Sequence, residues 1–218
     1  MRRPFYIANF ALFSLLSLAI AAHSFAYLYR GIDPGNPFQL SFGSAGWAVP
    51  MHFFPSGLAL LLSPLALSQR LRGRWPAVHR FTGLLYCGSV ALAGVAGLLL
   101  APRAQGGWWN GVAFALLACC WLGCTGRALW LATRGRSAEH RRWMLRSAAL
   151  TFSAVTLRLY LLAGIALLNW PFALAYSVAA WACWTVNLVL IEMYLRRSMV
   201  EQRWRGREPG SESRQAVA

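Results

Sequence analysis

Two stretches of this chain place a histidine beside arginines at the edge of an apolar run. Residues 72–80 read RGRWPAVHR, and residues 134–150 read RGRSAEHRRWMLRSAAL. Each has an Arg-Gly-Arg, a short spacer and a His-Arg, which gives His79 and His140 equivalent places in a weak internal repeat. Two further histidines, His23 and His52, and one arginine, Arg158, fall inside apolar sequence. Imidazoles and guanidiniums in such settings suit two chemistries. Paired neutral imidazoles can ligate the iron of a haem. Arginines and free N–H groups at helix starts can hold an anion.

The elements that carry these residues follow from composition. The 218 residues are 58% hydrophobic and only 12% charged, too little polar surface to cover a water-soluble core. The apolar residues come in long runs, the mark of helices solvated by lipid. Six runs are expected to span a membrane, near Phe5–Tyr29, Val49–Ser68, Phe81–Ala101, Trp108–Ala132, Trp143–Leu168 and Pro171–Leu195. The fold class is therefore all-α, an integral membrane bundle of six helices over residues 1–198, with 199–218 a disordered cytoplasmic tail rich in polar residues, Pro and Gly. The first run also resembles a signal peptide, with Ala19-Ile20-Ala21 as a small-residue site. It continues through FAYLY past that point, and so reads as an uncleaved anchor.

The net charge of +15 rests on arginine alone, since the chain has no lysine. The arginines cluster between apolar runs, which argues for anionic lipid headgroups as partner and against nucleic acid. Arg2 and Arg3, Arg70 to Arg80, Arg134 to Arg142 and Arg196 to Arg207 lie at one set of run ends. The opposite ends carry only Arg30, Asp33 and Arg103. The positive-inside rule then puts both termini in the cytoplasm and the protein in the cell's inner (plasma) membrane. Trp47, Trp108, Trp109 and Trp170 mark one interface, and Trp75, Trp130, Trp143 and Trp204 the other. The five cysteines sit inside apolar runs without a zinc-like pattern and read as packing residues.

Helical arithmetic groups the polar positions. His140 and Arg158 are 18 residues apart, five turns, so they share one face of the fifth run with Ser147 and Thr151. His79 aligns with Gly83, Tyr86, Val90 and Gly97, and His52 with Ser56, Ala59, Ser63 and Ala66. These stripes of small residues let helices, or a flat cofactor, approach closely. Arg158 inside a run must face protein or a wet cavity, with Asn187 or a bound anion as its partner. Glu192 has Arg127 or Arg146 as its partner.

The blocks MHFFPSGLALLLSPL, RGRWPAVHRFTGLLY and EHRRWMLRSAALTFSAVTLRLY resemble the signature of the domain-of-unknown-function 2306 family, bacterial multi-pass membrane proteins. The resemblance covers about residues 48–195. It falls on His52, His79, Arg80, Gly83, Tyr86, His140, Trp143, Met144, Arg146 and Arg158, while His23 does not map onto it. It implies fold class and a membrane location, and assigns no activity.

Two functions follow as expectations. The first is a b-type haem or electron-transfer protein, with His79 and His140 on the iron and Arg80 among the arginines near the propionates. His52 and His23, near Arg158, form a second candidate pair. The second is a transporter or receptor for a small anion or anionic lipid, using the arginine- and histidine-bearing helix starts, with Arg146 and Arg158 as further cofactor- or anion-binding positions. A redox partner belongs to the first reading. No nucleophile–base–orienter set and no phosphate-cradling glycine loop is present in the sequence.

Overall fold

A computed structural model describes residues 2–30 and 45–205 of the chain, and every regular element among them is helical. In chain order these are α1 (Arg2–Arg30), α2 (Ala48–Leu67), α3 (Gln69–Arg74), α4 (Pro76–Leu100) with a 3-10 turn at Ala101–Arg103, α5 (Trp108–Thr133), α6 (Ser137–Thr151), α7 (Ser153–Leu162) with a π turn at Ala163–Leu167, and α8 (Phe172–Arg205).

Six stretches are long and apolar enough to cross a membrane: Ala8–Arg30, Ala48–Leu67, Pro76–Arg103, Trp108–Thr133, Ser137–Leu167 and Phe172–Met199. The expected six spans are therefore present. The third and fifth begin several residues earlier than their apolar runs, because Pro76 and Ser137 start the helices before the hydrophobic sequence does. The sixth helix runs on to Arg205, beyond the expected start of the tail at 199. Residues 206–218 lie outside the described residues.

Leu12, Leu84, Val95, Leu116 and Val189 are exposed, as suits a surface solvated by hydrocarbon. The interior is built from alanine, serine and threonine with a few large side chains, among them Tyr86, Trp121, Met144 and Trp184. Small residues let helices approach where no hydrophobic driving force separates lipid from protein. The first span packs as part of the bundle. Ala21 is fully buried with Leu60 and Val155, and Phe13 meets Phe152 at 5.0 Å between ring centroids. Span five is the most central, in contact with spans one, two, four and six.

That fifth span is not one uninterrupted helix. It breaks at Phe152, between α6 and α7. The hydroxyls of Thr151, Ser153 and Thr156 turn back onto carbonyls of their own helix, at 3.0 Å for Thr151 on Ser147 and 3.5 Å for Ser153 on Ala149. Such bonds compete with the helical ladder and bend it. The five-turn arithmetic between His140 and Arg158 therefore crosses an interruption, although both residues remain on the inward side.

The two Arg-Gly-Arg segments differ. Arg72–Gly73–Arg74 lies inside the short helix α3. Gly135 instead ends α5 at φ +69, with the Arg136 N–H bonding back to the Leu131 carbonyl at 3.0 Å, a glycine-terminated cap. What the segments share is the helix start that follows. The His79 N–H donates to the Trp75 carbonyl at 3.0 Å, and the His140 N–H donates to the Arg136 carbonyl at 2.9 Å. Each histidine is thus the fourth residue of its helix. The repeat holds for the positions of the histidines and not for the loops before them.

Candidate functional site

A cavity of about 390 Å³ opens in one half of the bundle and is lined from all six spans. Its walls come from the end of span one (His23, Ser24), the start of span two (His52, Ser56), the end of span three (Gly94, Gly97), the start of span four (Phe114, Trp121), the second half of span five (Thr151, Arg158) and the start of span six (Tyr176, Cys183). In an up-and-down bundle all of these belong to one side, opposite the arginine-rich helix ends. The volume lies within the ~300–1,000 Å³ of small-molecule sites.

Three groups give the cavity its chemistry. His52 holds its Nδ1 at 2.9 Å from the Ala93 carbonyl, so Nδ1 carries the proton and Nε2 presents a lone pair. Its ring lies against Gly97, where a Cβ would sit 3.2 Å from Nδ1. Span three therefore needs a minimal side chain there. Arg158 is half-buried, and its Nη1 donates to the Ala154 carbonyl at 2.7 Å in its own helix. No carboxylate among the described residues pairs with it. Asn187, one of the partners expected from sequence, instead donates to the Ala149 carbonyl and Thr156 Oγ1 at 3.0 and 3.1 Å. The buried Ser56 hydroxyl also lines the cavity, with no hydrogen-bond partner among the described residues. His23 borders the same space from span one, and its own side chain is exposed.

Below the cavity a chain of hydroxyls ties spans three, four and five together, and proton counting gives it a direction. Thr125 donates to the Trp121 carbonyl at 2.7 Å, so it accepts from Ser147 at 2.6 Å. Ser147, its proton used, accepts from the Tyr86 hydroxyl at 2.7 Å. Tyr86 then accepts from Thr151 at 2.7 Å, a proton that Thr151 shares with the Ser147 carbonyl. Thr151 accepts from Trp121 Nε1 at 2.9 Å. Every hydroxyl in this buried set both gives and receives, as an apolar surrounding requires. Nothing in the sequence patterns singled out Thr125 or Trp121. Their signal is polarity on the inward face of span four, which the run of apolar residues around them masks.

His79 and His140 lie toward the other end, seven residues before Tyr86 and Ser147 respectively. The two imidazoles are electrostatic neighbours. His140 Nδ1 bonds the Ala128 carbonyl of span four at 2.8 Å, while the buried His79 Nδ1 has no partner among the described residues. Neither ring borders the six-span cavity. Arg80 is exposed at the same helix start. Arg146 is committed to Glu192 through a two-pronged ion pair between spans five and six, which resolves the choice between Arg127 and Arg146 as partner of Glu192. Glu139, next to His140, pairs with Arg136. The expected site residues thus divide. His52 and Arg158 converge on the cavity, with His23 beside them. His79, His140 and Arg80 form a separate group, and Arg146 serves a helix–helix contact.

Among the described residues, no group of three or more histidine, cysteine or acidic side chains is arranged to hold a metal ion. No curated protein and no solved structure matches the chain. Residues 49–195, which supply all of the cavity except its span-one edge, match the family model described as "Predicted membrane protein (DUF2306)", and the chain belongs to that family.

Proposed function

We propose that this membrane protein is a receptor or carrier for a small amphipathic anion, bound in the six-span cavity with its charge on Arg158 and its apolar body against Phe53, Phe114 and Leu117. The observation that carries the reading is a guanidinium inside a membrane span, bordering a cavity, with a single backbone carbonyl as its hydrogen-bond partner among the described residues. A charge so placed is expensive in lipid and marks a pathway or a ligand site. The unpartnered Ser56 hydroxyl and the free face of His52 add one donor and one acceptor on the same space. The charge asymmetry of the helix ends supports a plasma-membrane setting with the cavity toward the outer face.

Isotope-labelled decanoate, offered to the protein in phosphatidylcholine nanodiscs, tests this. Saturable binding above that of empty nanodiscs is expected, weakened at least tenfold by Arg158→Gln, because a charge-assisted hydrogen bond is lost. Arg103→Gln, at an exposed helix end, leaves it unchanged. Binding that never saturates, or that survives Arg158→Gln, overturns the reading.

One observation favours a second reading. The paired helix starts put His79 and His140 in matching register, and the Nδ1 bond of His140 to Ala128 leaves its Nε2 ready to ligate. His79 and His140 would hold the iron of a b-type haem, and Arg80, Arg141 and Arg142 would meet its propionates. Bound there, a haem supplies one-electron chemistry. A visible spectrum of protein expressed with ample haem decides it: a Soret band lost in both His79→Ala and His140→Ala supports the site, and a colourless protein removes it.

A further inference from the structure

On the arginine-rich half of the bundle a second concavity, of about 500 Å³, runs between spans four, five and six. Its floor and walls are Cys120, Gly123, Cys124, Trp143 and Leu188, and its polar groups are Arg127, Arg146 and Glu192. Gly123 leaves the floor open, since a Cβ there meets nothing within 4 Å. Arg146 and Glu192 neutralise each other. Arg127 has no carboxylate partner among the described residues. It stacks on Trp130 at 4.3 Å from the ring centroid, and Arg134, two turns further on, lies over the same ring at 5.2 Å. Two guanidiniums are thus fixed about one indole at the mouth of an apolar trough.

Depth gives the trough its meaning. Arg134 caps the end of α5, Arg127 lies seven residues, ~10 Å, further in with its guanidinium over Trp130, and Cys120 lies as far again beyond Arg127. With Arg127 snorkelling toward Arg134, both cations serve the headgroup level, and an apolar slot leads down from them into the leaflet. Indole belongs at that height as well. A phosphate accepts from arginine in a fork geometry that choline or glycerol does not match.

We infer that this groove is a binding site for one anionic phospholipid of the adjacent leaflet, with its phosphate on Arg127 and Arg134 and an acyl chain along Cys120, Gly123, Cys124 and Leu188.

The test is native mass spectrometry of the full chain, extracted in a neutral detergent and offered phosphatidylglycerol and phosphatidylcholine in equal amounts. The expected result is one retained phosphatidylglycerol, favoured about tenfold over phosphatidylcholine. The double variant Arg127→Gln/Arg134→Gln removes the preference. Gly123→Leu, which fills the floor, lowers retention of both lipids. Because the two arginines are exposed, the double variant should melt at the parent's temperature in lipid-free detergent. Equal retention of the two lipids overturns the proposal, as does a preference that survives the double variant or retention unchanged by Gly123→Leu. Glycerol phosphate competing as well as whole lipid would show a free-phosphate site instead. A dimer that forms without lipid and is broken by Gly123→Leu would show that a second copy fills the groove.

Discussion

Arg158 stands against the energetics of its surroundings. Removing a guanidinium from water costs several kcal/mol unless hydrogen bonds and an opposite charge offset it. Among the described residues, its compensation is one carbonyl in the same helix. A residue so held costs the empty protein stability, a cost that the proposed anion site accounts for. Arg158→Leu should therefore raise the melting temperature of ligand-free protein in detergent, by a few degrees for each kcal/mol recovered. Decanoate should raise that of the parent and not of the variant, since only the parent gains a bound state. A lowered melting temperature in Arg158→Leu would show that the guanidinium holds the fold together. The sequence made Arg158 legible as a misplaced charge. It did not show the partner, because Asn187 is drawn to Ala149 and Thr156 by the local interruption of span five.

The polar elements of spans three, four and five act as one latch. Tyr86 is fully buried and donates to Ser147 while accepting from Thr151. Removing its hydroxyl takes a donor from Ser147 and an acceptor from Thr151, which keeps only the Ser147 carbonyl for its proton. Tyr86→Phe should cost about 1–3 kcal/mol, read as a lowered midpoint of unfolding by denaturant in mixed micelles. Ser147→Ala alone should cost a comparable amount, and the double variant less than the sum, because both remove the same bond. Purely additive losses would show that the two hydroxyls act independently. The helices themselves were legible as runs of apolar residues, and the inward faces of His52, Tyr86, Ser147 and Thr151 followed from a 3.6-residue period. Two things were not legible. The break at Phe152 arises from hydroxyls competing with the backbone, an outcome that depends on what faces them. The latch needs Thr125 and Trp121, whose span shows little amphipathic pattern because lipid and interior are both apolar. The cavity was legible only in part. The histidine pair that looked like its centre, His79 and His140, lies beyond it, while the secondary pair, His23 and His52, borders it.

For the whole molecule the arginines are sorted by side. The ends of spans two, four and six and the starts of three and five carry Arg70, Arg72, Arg74, Arg80, Arg134, Arg136, Arg141, Arg142, Arg196 and Arg197, against Arg30 and Arg103 at the ends opposite. A difference of that size sets insertion direction. A reporter that is active only outside the cytoplasm should be silent when fused after residue 218 and active when inserted between Ala104 and Trp108. The reverse pattern would turn the bundle over and face the cavity to the cytoplasm. The sixth helix adds a dimension to this picture. Its 34 residues extend ~51 Å, whereas hydrocarbon and headgroups together measure ~40–45 Å. A rod longer than the slab it crosses must lean or stand proud. Ala175, Tyr176, Ala179, Ala180 and Cys183 are buried in the bundle and anchor its first turns, so the surplus, about one to two turns, falls at the other end. The length of helix left outside the bilayer then depends on bilayer thickness. A thicker membrane covers more of that surplus length, and a thinner one leaves more of it clear.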